Sequence, residues 1–489
     1  MLFNSHIFML LFLPLLLAGW YFLNWKKKFQ LAQGYLIGMS LWFYAYANLQ
    51  YLWLLLFSCL IGWLLSCLPE KIFSEKGKKV LTGVGCVFHL GLLGYFKYSN
   101  FFLENLNTVF HTDFPMLQIL LPVGISFYTF QQLAYLIDRC RGDAPRDSFF
   151  DYLTFMVYFP QLLQGPILLR SEFMGQLKEP ERRRFHAERF SEGIQFFVFG
   201  LAKKVLLADT LAKAVNYGYS NVSMLDSISA LLLAVGYLTE LYFDFSGYCD
   251  MAVGLGKMIG LEVAENFDAP FHSASVKEFW RRWHMTLGRF FTRYVYIPLG
   301  GNRRGKMRTL CNVMIVMLLS GLWHGAAWTF VLWGFLHGVG MIWDNLEHPH
   351  LPKKWMRQAA TFAYVCMTFV FFRAESIAQG IDVLKSIVSL KWNGFVFQMA
   401  SALDMTECYM ITKALSMKLP GLLSWFWLGG FVVLIAICFR VLSGEKVSGV
   451  VALKRQKGYG RLYPVLLAVL FTWSMISMTG VSEYLYFSF

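Results

Sequence analysis

Two histidines carry the chemistry this sequence offers. His324 lies in Ser320-Gly321-Leu322-Trp323-His324-Gly325-Ala326-Ala327-Trp328, and His284 in Phe279-Trp280-Arg281-Arg282-Trp283-His284. A neutral imidazole can take a proton from a hydroxyl or thiol as that group attacks. Burial keeps the ring neutral near pH 7, because desolvation disfavours the imidazolium. The remaining histidines (6, 89, 111, 186, 272, 337, 348 and 350) fall mostly at loops and span ends. His337 reads as packing or support behind the other two. Spacing alone leaves a structural role for a lone buried histidine more common than a catalytic one. The sequence holds no Gly-x-Ser-x-Gly and no His-Glu-x-x-His. Its nine cysteines include no CxxC, so neither a metal framework nor a disulfide pattern is expected.

The elements that must position these rings come next. His324 stands in an apolar run from Thr309 to Trp343. One continuous helix over that run would be roughly 50 Å long, against a bilayer core of about 30 Å. The run therefore breaks, tilts or turns back, and Gly321 and Gly325 are the cheapest places to break. An ionisable ring at such a break marks a functional site by default. His284 falls in Val276–Tyr294. On a helical wheel Val276, Trp280, Trp283, Leu287, Phe290, Phe291 and Tyr294 share one arc with His284, opposite Glu278, Arg282, Arg289 and Arg293. That pattern predicts one amphipathic helix at the membrane interface or a wet cavity mouth.

The rest of the chain is built for a bilayer. It is 489 residues long and 57% hydrophobic, with a mean hydropathy of +0.48, above the roughly 45–50% apolar content of soluble domains. The net charge of +14 sits in loops between apolar spans, which reads as cytoplasmic topology rather than nucleic-acid binding. The first 23 residues read as a retained span, not a cleaved signal. Spans are expected near 6–23, 31–48, 51–68, 80–98, 115–137, 190–210, 227–249, 309–345 (a broken pair), 356–373, 421–440 and 462–480. Residues 99–114 read as an external loop, 150–168 as a re-entrant segment broken at Pro160 and Pro166, and 374–420 as an external or interfacial helical stretch. Alternation from an external N-terminus places every basic loop, including Lys71–Lys79, on one side. The fold class is an all-α polytopic membrane protein of about 11–12 transmembrane helices. It forms a single domain over 1–489, with its catalytic core over about 120–345.

Further polar groups fall at informative depths. Glu240 and Asp244 share one face of a span, where carboxylates are costly and usually face a cavity; the alternative is that they sit at the cytoplasmic end and cap or pair with the basic stretch. Residues 271–308 hold nine Lys or Arg and one Glu. Within them, Gly300-Gly301-Asn302-Arg303-Arg304 makes a turn that suits an anionic ligand.

At this point the residues resemble the membrane-bound O-acyltransferases, and within them the alginate O-acetyltransferase branch. The likeness is carried by Pro122-Val-Gly-Ile-Ser-Phe-Tyr-Thr-Phe-Gln131, Phe159-Pro160-Gln161-Leu-Leu-Gln-Gly165-Pro166 and Tyr242-Phe-Asp244-Phe-Ser246-Gly247-Tyr-Cys-Asp250. It continues through Glu265-Asn266-Phe-Asp-Ala-Pro270, Phe279–His284, Tyr296-Ile-Pro298-Leu-Gly300-Gly301-Asn302, Leu322–Gly325 and the closing Tyr484–Phe489. The resemblance implies a funnel-shaped fold with the core reached from both sides. It implies that His324 is the essential histidine and acts as general base, with His284 at the second polar position. It implies acetyl transfer from cytoplasmic acetyl-CoA, a donor substrate and not a resident cofactor. The acetyl group would go to a secreted polysaccharide, through an extracytoplasmic SGNH-type acetyltransferase and alongside polysaccharide export or synthesis machinery, in a bacterial inner (cytoplasmic) membrane. Candidate substrate contacts are Gln131, Asp244, Trp280, Trp283, Asn302, Arg303, Arg304 and Trp323. D-Alanyl transfer to teichoic acid is a second enzymatic reading. A polytopic transporter is a reading from another class, and it predicts internal repeats that are not evident.

Overall fold

The computed structural model describes residues 1–47, 49–67, 74–346, 352–442, 446–457, 460, 462–478 and 484–485. Lys71, His348, His350 and most of the closing motif after Leu485 lie outside them. The described chain is helical and has no strand, the expected result for a backbone that must satisfy its own polar groups in lipid. Among the described residues, six helices are long and apolar enough to cross a membrane: Phe8–Trp25, Leu49–Cys67, Lys76–Phe110, Ser227–Ile259, Lys306–His324 and Pro420–Val441. That is fewer than the roughly twelve crossings suggested by loop-charge alternation. Helices Phe29–Ala47 and Lys354–Arg373 match the six in length.

The chain forms two compact units. The first comprises Met1–Phe197, Cys249–Glu265 and Thr286–Pro298. Its N-terminal helical hairpin closes on an aromatic cluster of Phe3, Phe8, Phe12, Phe43 and Phe159. The interrupted segment expected at 150–168 is a bent, buried path: helix Phe149–Val157, a short turn Phe159–Leu162, then irregular backbone. Its polar flank is held by Arg170, whose Nε donates to Asp147 at 2.7 Å, with Tyr135 on the same carboxylate. Gly193 and Gly254 let two helices meet backbone to backbone, since a Cβ on Gly254 would stand 2.5 Å from the Gly193 carbonyl oxygen. Small residues serve such contacts between membrane helices.

The second unit comprises Val198–Tyr248, Asn266–Met285 and Leu299–Phe489. Its centre is the hairpin Lys306–His324 and Trp328–Asn345. The break expected in this run falls at Gly325–Ala327, with Gly325 extended at φ −157°. Gly321 is not part of the break. It stays helical, and a Cβ there would lie 2.3 Å from the Phe330 carbonyl oxygen and 3.3 Å from the Gly334 Cα. Its role is close helix contact.

Two other expectations need correcting. Val276–Tyr294 is not one helix. Helix Val276–Arg282 ends, Trp283 is extended, His284 takes φ +46°, and a new helix runs Met285–Phe291. Residues 99–114 are not a loop throughout, because the apolar helix continues through a π-helical turn at Gly94–Tyr98 to Phe110. The irregular stretch is 111–124 instead, and the following helix starts only at Ile125.

Candidate active site

His324 is the last residue of its helix and is 4% exposed. Its ring sits in an aromatic box: Trp323 at 5.0 Å, Trp333 at 5.1 Å and Phe372 at 5.2 Å between centroids, all edge-to-face. Edge-to-face packing directs ring hydrogens at π faces and fixes ring orientation. Trp323 is also 6.1 Å from the His284 ring. The two sequence-predicted histidines are thus brought together, with Trp323 shared between them.

His284 is held by its own backbone and by Asn266. A non-glycine residue at φ +46° is uncommon, and such conformations collect at functional sites. Here the left-handed turn swings the ring away from the direction a continuing helix would give it. His284 Nδ1 lies 3.2 Å from Asn266 Oδ1, and the Met285 amide donates to the Asn266 carbonyl at 2.9 Å. With Nδ1 carrying the hydrogen, Nε2 is the basic nitrogen. Phe245 closes one face at 4.8 Å. Burial pushes the His284 imidazole down from 6.5 to about 3, so the ring is neutral at physiological pH. Asn266 was not among the expected site residues; its signal was the Glu265–Pro270 motif.

A third imidazole supports the first. The Thr368 hydroxyl donates to the Val365 carbonyl, so at 2.9 Å it accepts from His337 Nε2. Nδ1 of His337 then accepts the Trp280 indole N–H at 3.3 Å. His337 is fixed as the neutral Nε2–H tautomer and packs 4.8 Å from Trp333. Trp280 therefore serves the support network, 5.5 Å from Trp333. Trp283 stacks on Phe279 at 5.4 Å and touches Phe369 and Tyr242. Trp333 is fully buried, and its indole N–H has no acceptor among the described residues, although buried indoles usually find one.

The basic stretch 271–308 divides in two. Lys277 is tied to Asn345, Arg282 to Glu278, Arg289 to Glu172, and Arg293 to Asp138 and Asp143. Asn302, Arg303 and Arg304 are exposed on a turn with left-handed Gly300, Gly301 and Gly305, pinned by Asn312 to the Gly301 carbonyl at 2.9 Å. Their side chains make no hydrogen bond or ion pair among the described residues. They precede the helix that ends at His324, so 19 residues, or about 28 Å of axis, separate this turn from the histidine.

Asp244 is engaged elsewhere. It pairs with Lys204 at 2.5 Å, both side chains buried, while Lys204 also meets Asp209 at 2.8 Å and the Leu485 amide donates to Asp244 at 3.1 Å. The partner of Asp244 is Lys204 and not the basic stretch. Gln131 belongs to the first unit, is buried, and has no partner for Oε1 among the described residues.

The model of the membrane-bound O-acyltransferase family matches residues 141–380, which include both histidines. The chain is 35% identical over 423 residues to the peptidoglycan O-acetyltransferase of Helicobacter pylori, covering 80% of each chain. It is 39% identical over 389 residues to the Azotobacter vinelandii protein named "Probable alginate O-acetylase AlgI", covering 77% of this chain and 76% of the relative. It is 28% identical over 271 residues to the teichoic acid D-alanyltransferase of Bacillus subtilis, over 52% of this chain and 69% of the relative. A buried histidine pair in a multi-pass helical protein, the matching family model and these long alignments lead to one assignment: the chain belongs to the membrane-bound O-acyltransferase family.

Proposed function

We propose that this acyltransferase moves an acetyl group from acetyl-CoA to a hydroxyl, with His324 as general base. The observation that carries the proposal is the pair of buried histidines on either side of Trp323, one at a helix end and one on a left-handed turn. In the reaction the acceptor oxygen attacks the thioester carbonyl carbon as His324 takes the hydroxyl proton. The C–S bond then breaks, and the proton passes from the imidazolium to the departing thiolate. His284 and Asn266 orient the acyl group. The Trp333 indole N–H serves as a donor to the developing oxyanion, a role in which one preorganised hydrogen bond has a large effect.

Arg303, Arg304 and Asn302 receive the phosphates of the donor, where arginine forks suit phosphate oxygens. The helix length requires the donor to lie extended between that turn and His324. The acetyl group is destined for a secreted polysaccharide in a bacterial inner membrane, handed on by an extracytoplasmic SGNH-type partner. The relatives named for peptidoglycan and alginate O-acetylation support this destination. D-Alanyl transfer ranks second, because the relatives so named align over less of the chain. The test is [14C]acetyl-CoA turnover by the purified full chain in nanodiscs. Acetyl release or transfer in the wild type that disappears in His324→Ala supports the reading; transfer retained in that variant refutes it.

A further inference from the structure

A cavity of about 960 Å³ in the second unit takes no part in the reaction described above. Its walls are the turn Val222–Met224, the helix Ile377–Val388 and the loop that follows as far as Asn393. From this rim three apolar side chains project at alternate positions: Val388 is 73% exposed, Leu390 90% and Trp392 57%. Leu390 takes φ +53°, a conformation uncommon for any residue but glycine. Strain of this kind persists only where the surroundings impose it.

Here a buried carboxylate helps to impose it. Asp226 is fully buried and accepts from the Asn393 amide at 3.3 Å and the Gly394 amide at 3.1 Å. Ser227 adds two bonds, its amide donating to the Lys391 carbonyl at 3.1 Å and its hydroxyl to the Ser386 carbonyl at 3.0 Å. The Asn393 side chain donates to the Met224 carbonyl at 2.9 Å, and Trp392 meets Phe397 edge-to-face at 6.1 Å. The backbone is thus fixed on both sides of Leu390 while the apolar side chains stand out. A surface held ready in this way loses little entropy when it is covered.

The loop stands in water rather than among acyl chains. Asp382 and Lys385, on the helix that leads into it, pair at 3.6 Å with side chains 59% and 73% exposed. The Lys391 ammonium makes no hydrogen bond or ion pair among the described residues. An apolar tip beside an unpaired ammonium, both in water, has the make-up of a protein-binding surface. Its side of the membrane follows from the helix Lys354–Arg373, which starts at a basic pair and runs 20 residues, or about 30 Å. Basic starts mark the cytoplasmic side, so Ser376, three residues past the far end and part of the cavity wall, lies on the opposite side. Phe372, in the last turn of that helix, packs on His324 at 5.2 Å.

We propose that the Val388–Trp392 rim and its cavity are the docking surface for an extracytoplasmic protein that presents an apolar socket beside a carboxylate. Val388, Leu390 and Trp392 enter the socket, and Lys391 meets the carboxylate. This rests on the reading that the acetyl group is handed to such a partner, and it seats that partner on the face where the helix touching His324 ends.

The probe is the purified soluble domain of an SGNH-type acetyltransferase from the same organism, tested against the full chain in nanodiscs. Biolayer interferometry reads the Kd, and labelled acetyl-CoA reads transfer to the same domain. Leu390→Gly suits the left-handed turn and removes only a side chain; Lys391→Glu and Trp392→Ala alter exposed groups. Each should weaken binding by about tenfold or more, the scale of one interface hot spot, with transfer falling in step at low domain concentration. The KM for acetyl-CoA should stay as in the wild type. No binding by the wild type, or equal affinity in the wild type and all three variants, would overturn the proposal. The rival occupant is the bilayer surface: the difference in emission between the wild type and Trp392→Phe isolates Trp392, and its quenching by brominated phosphatidylcholine would place the loop in lipid and overturn the docking role. Failure of the wild type to release CoA at all would instead overturn the acetyl-transfer reading.

Discussion

Trp280 donates its indole N–H to Nδ1 of His337, and this single bond links the segment before His284 to the ring that packs against Trp333. Losing it would leave His337 Nδ1 without its donor beside the Trp333 ring. Trp280→Phe should lower kcat by about 5- to 30-fold, the scale of one lost hydrogen bond of ~1–2 kcal/mol. The KM for acetyl-CoA should change little. A pure KM effect in steady-state kinetics would assign Trp280 to donor binding instead.

His324→Ala should reduce acetyl transfer by about 10²–10⁴-fold, the usual range for a lost general base. Membrane insertion and the gel-filtration profile should be unchanged, because the ring sits at a helix end and its loss leaves the close backbone approach of Gly321 to Phe330 and Gly334 in place. Labelled acetyl transfer, normalised to folded protein, measures this.

The basic turn predicts a dependence on donor length. Arg303→Ala with Arg304→Ala should raise the KM for acetyl-CoA by about tenfold or more, consistent with the loss of two charge-assisted hydrogen bonds. The same pair should leave the KM for S-acetyl-pantetheine unaltered, since that donor lacks the nucleotide. Equal effects on both donors would show that the turn acts on protein structure.

The depressed His284 imidazole predicts a sign for acid stability. The unfolded ring takes up a proton below its ordinary value of 6.5, whereas the buried ring does so only near 3. The stability this group contributes is complete above 6.5 and is lost as pH falls towards 3. His284→Asn removes the titration and keeps a residue tolerant of the left-handed turn. Its apparent Tm in detergent should therefore fall less than the wild type's between pH 7 and pH 5.

Gly321→Ala should be far more damaging than Gly→Ala at an open helical site. A Cβ 2.3 Å from the Phe330 carbonyl cannot be accommodated without separating the two helices. Folded yield by fluorescence-detected gel filtration should drop severely, while Gly429→Ala, whose Cβ meets nothing within 4 Å, should express normally.

Much of this architecture was legible in residue order. The overlong apolar run around His324 forced a break, and it occurs between His324 and Trp328. The helix at 276–294 was misread because its hydrophobic period continues smoothly across Trp283 and His284. A single left-handed residue breaks the helix without breaking the pattern, and no wheel registers a φ angle. Gly321 was misread for a related reason: glycine marks both breaks and close contacts, and only the Phe330 carbonyl opposite it distinguishes them. The partners of Asp244 were also out of reach, because Lys204 and Leu485 lie 40 and 241 residues away in sequence. Electrostatic pairing over such separations leaves no local trace. Asn266 was visible only as part of a motif, since its role depends on how the chain folds back to His284.

The Gly321–Gly334 contact also limits how the site can move. Two helices touching backbone to backbone have no side-chain layer to slide on, so shear between them is blocked. His324 and Trp333 are carried by opposite arms of this joint, so a substrate-bound structure should keep their 5.1 Å ring separation. The site thus behaves as a fixed anvil, and the gating that admits or releases substrates belongs to the segments around it.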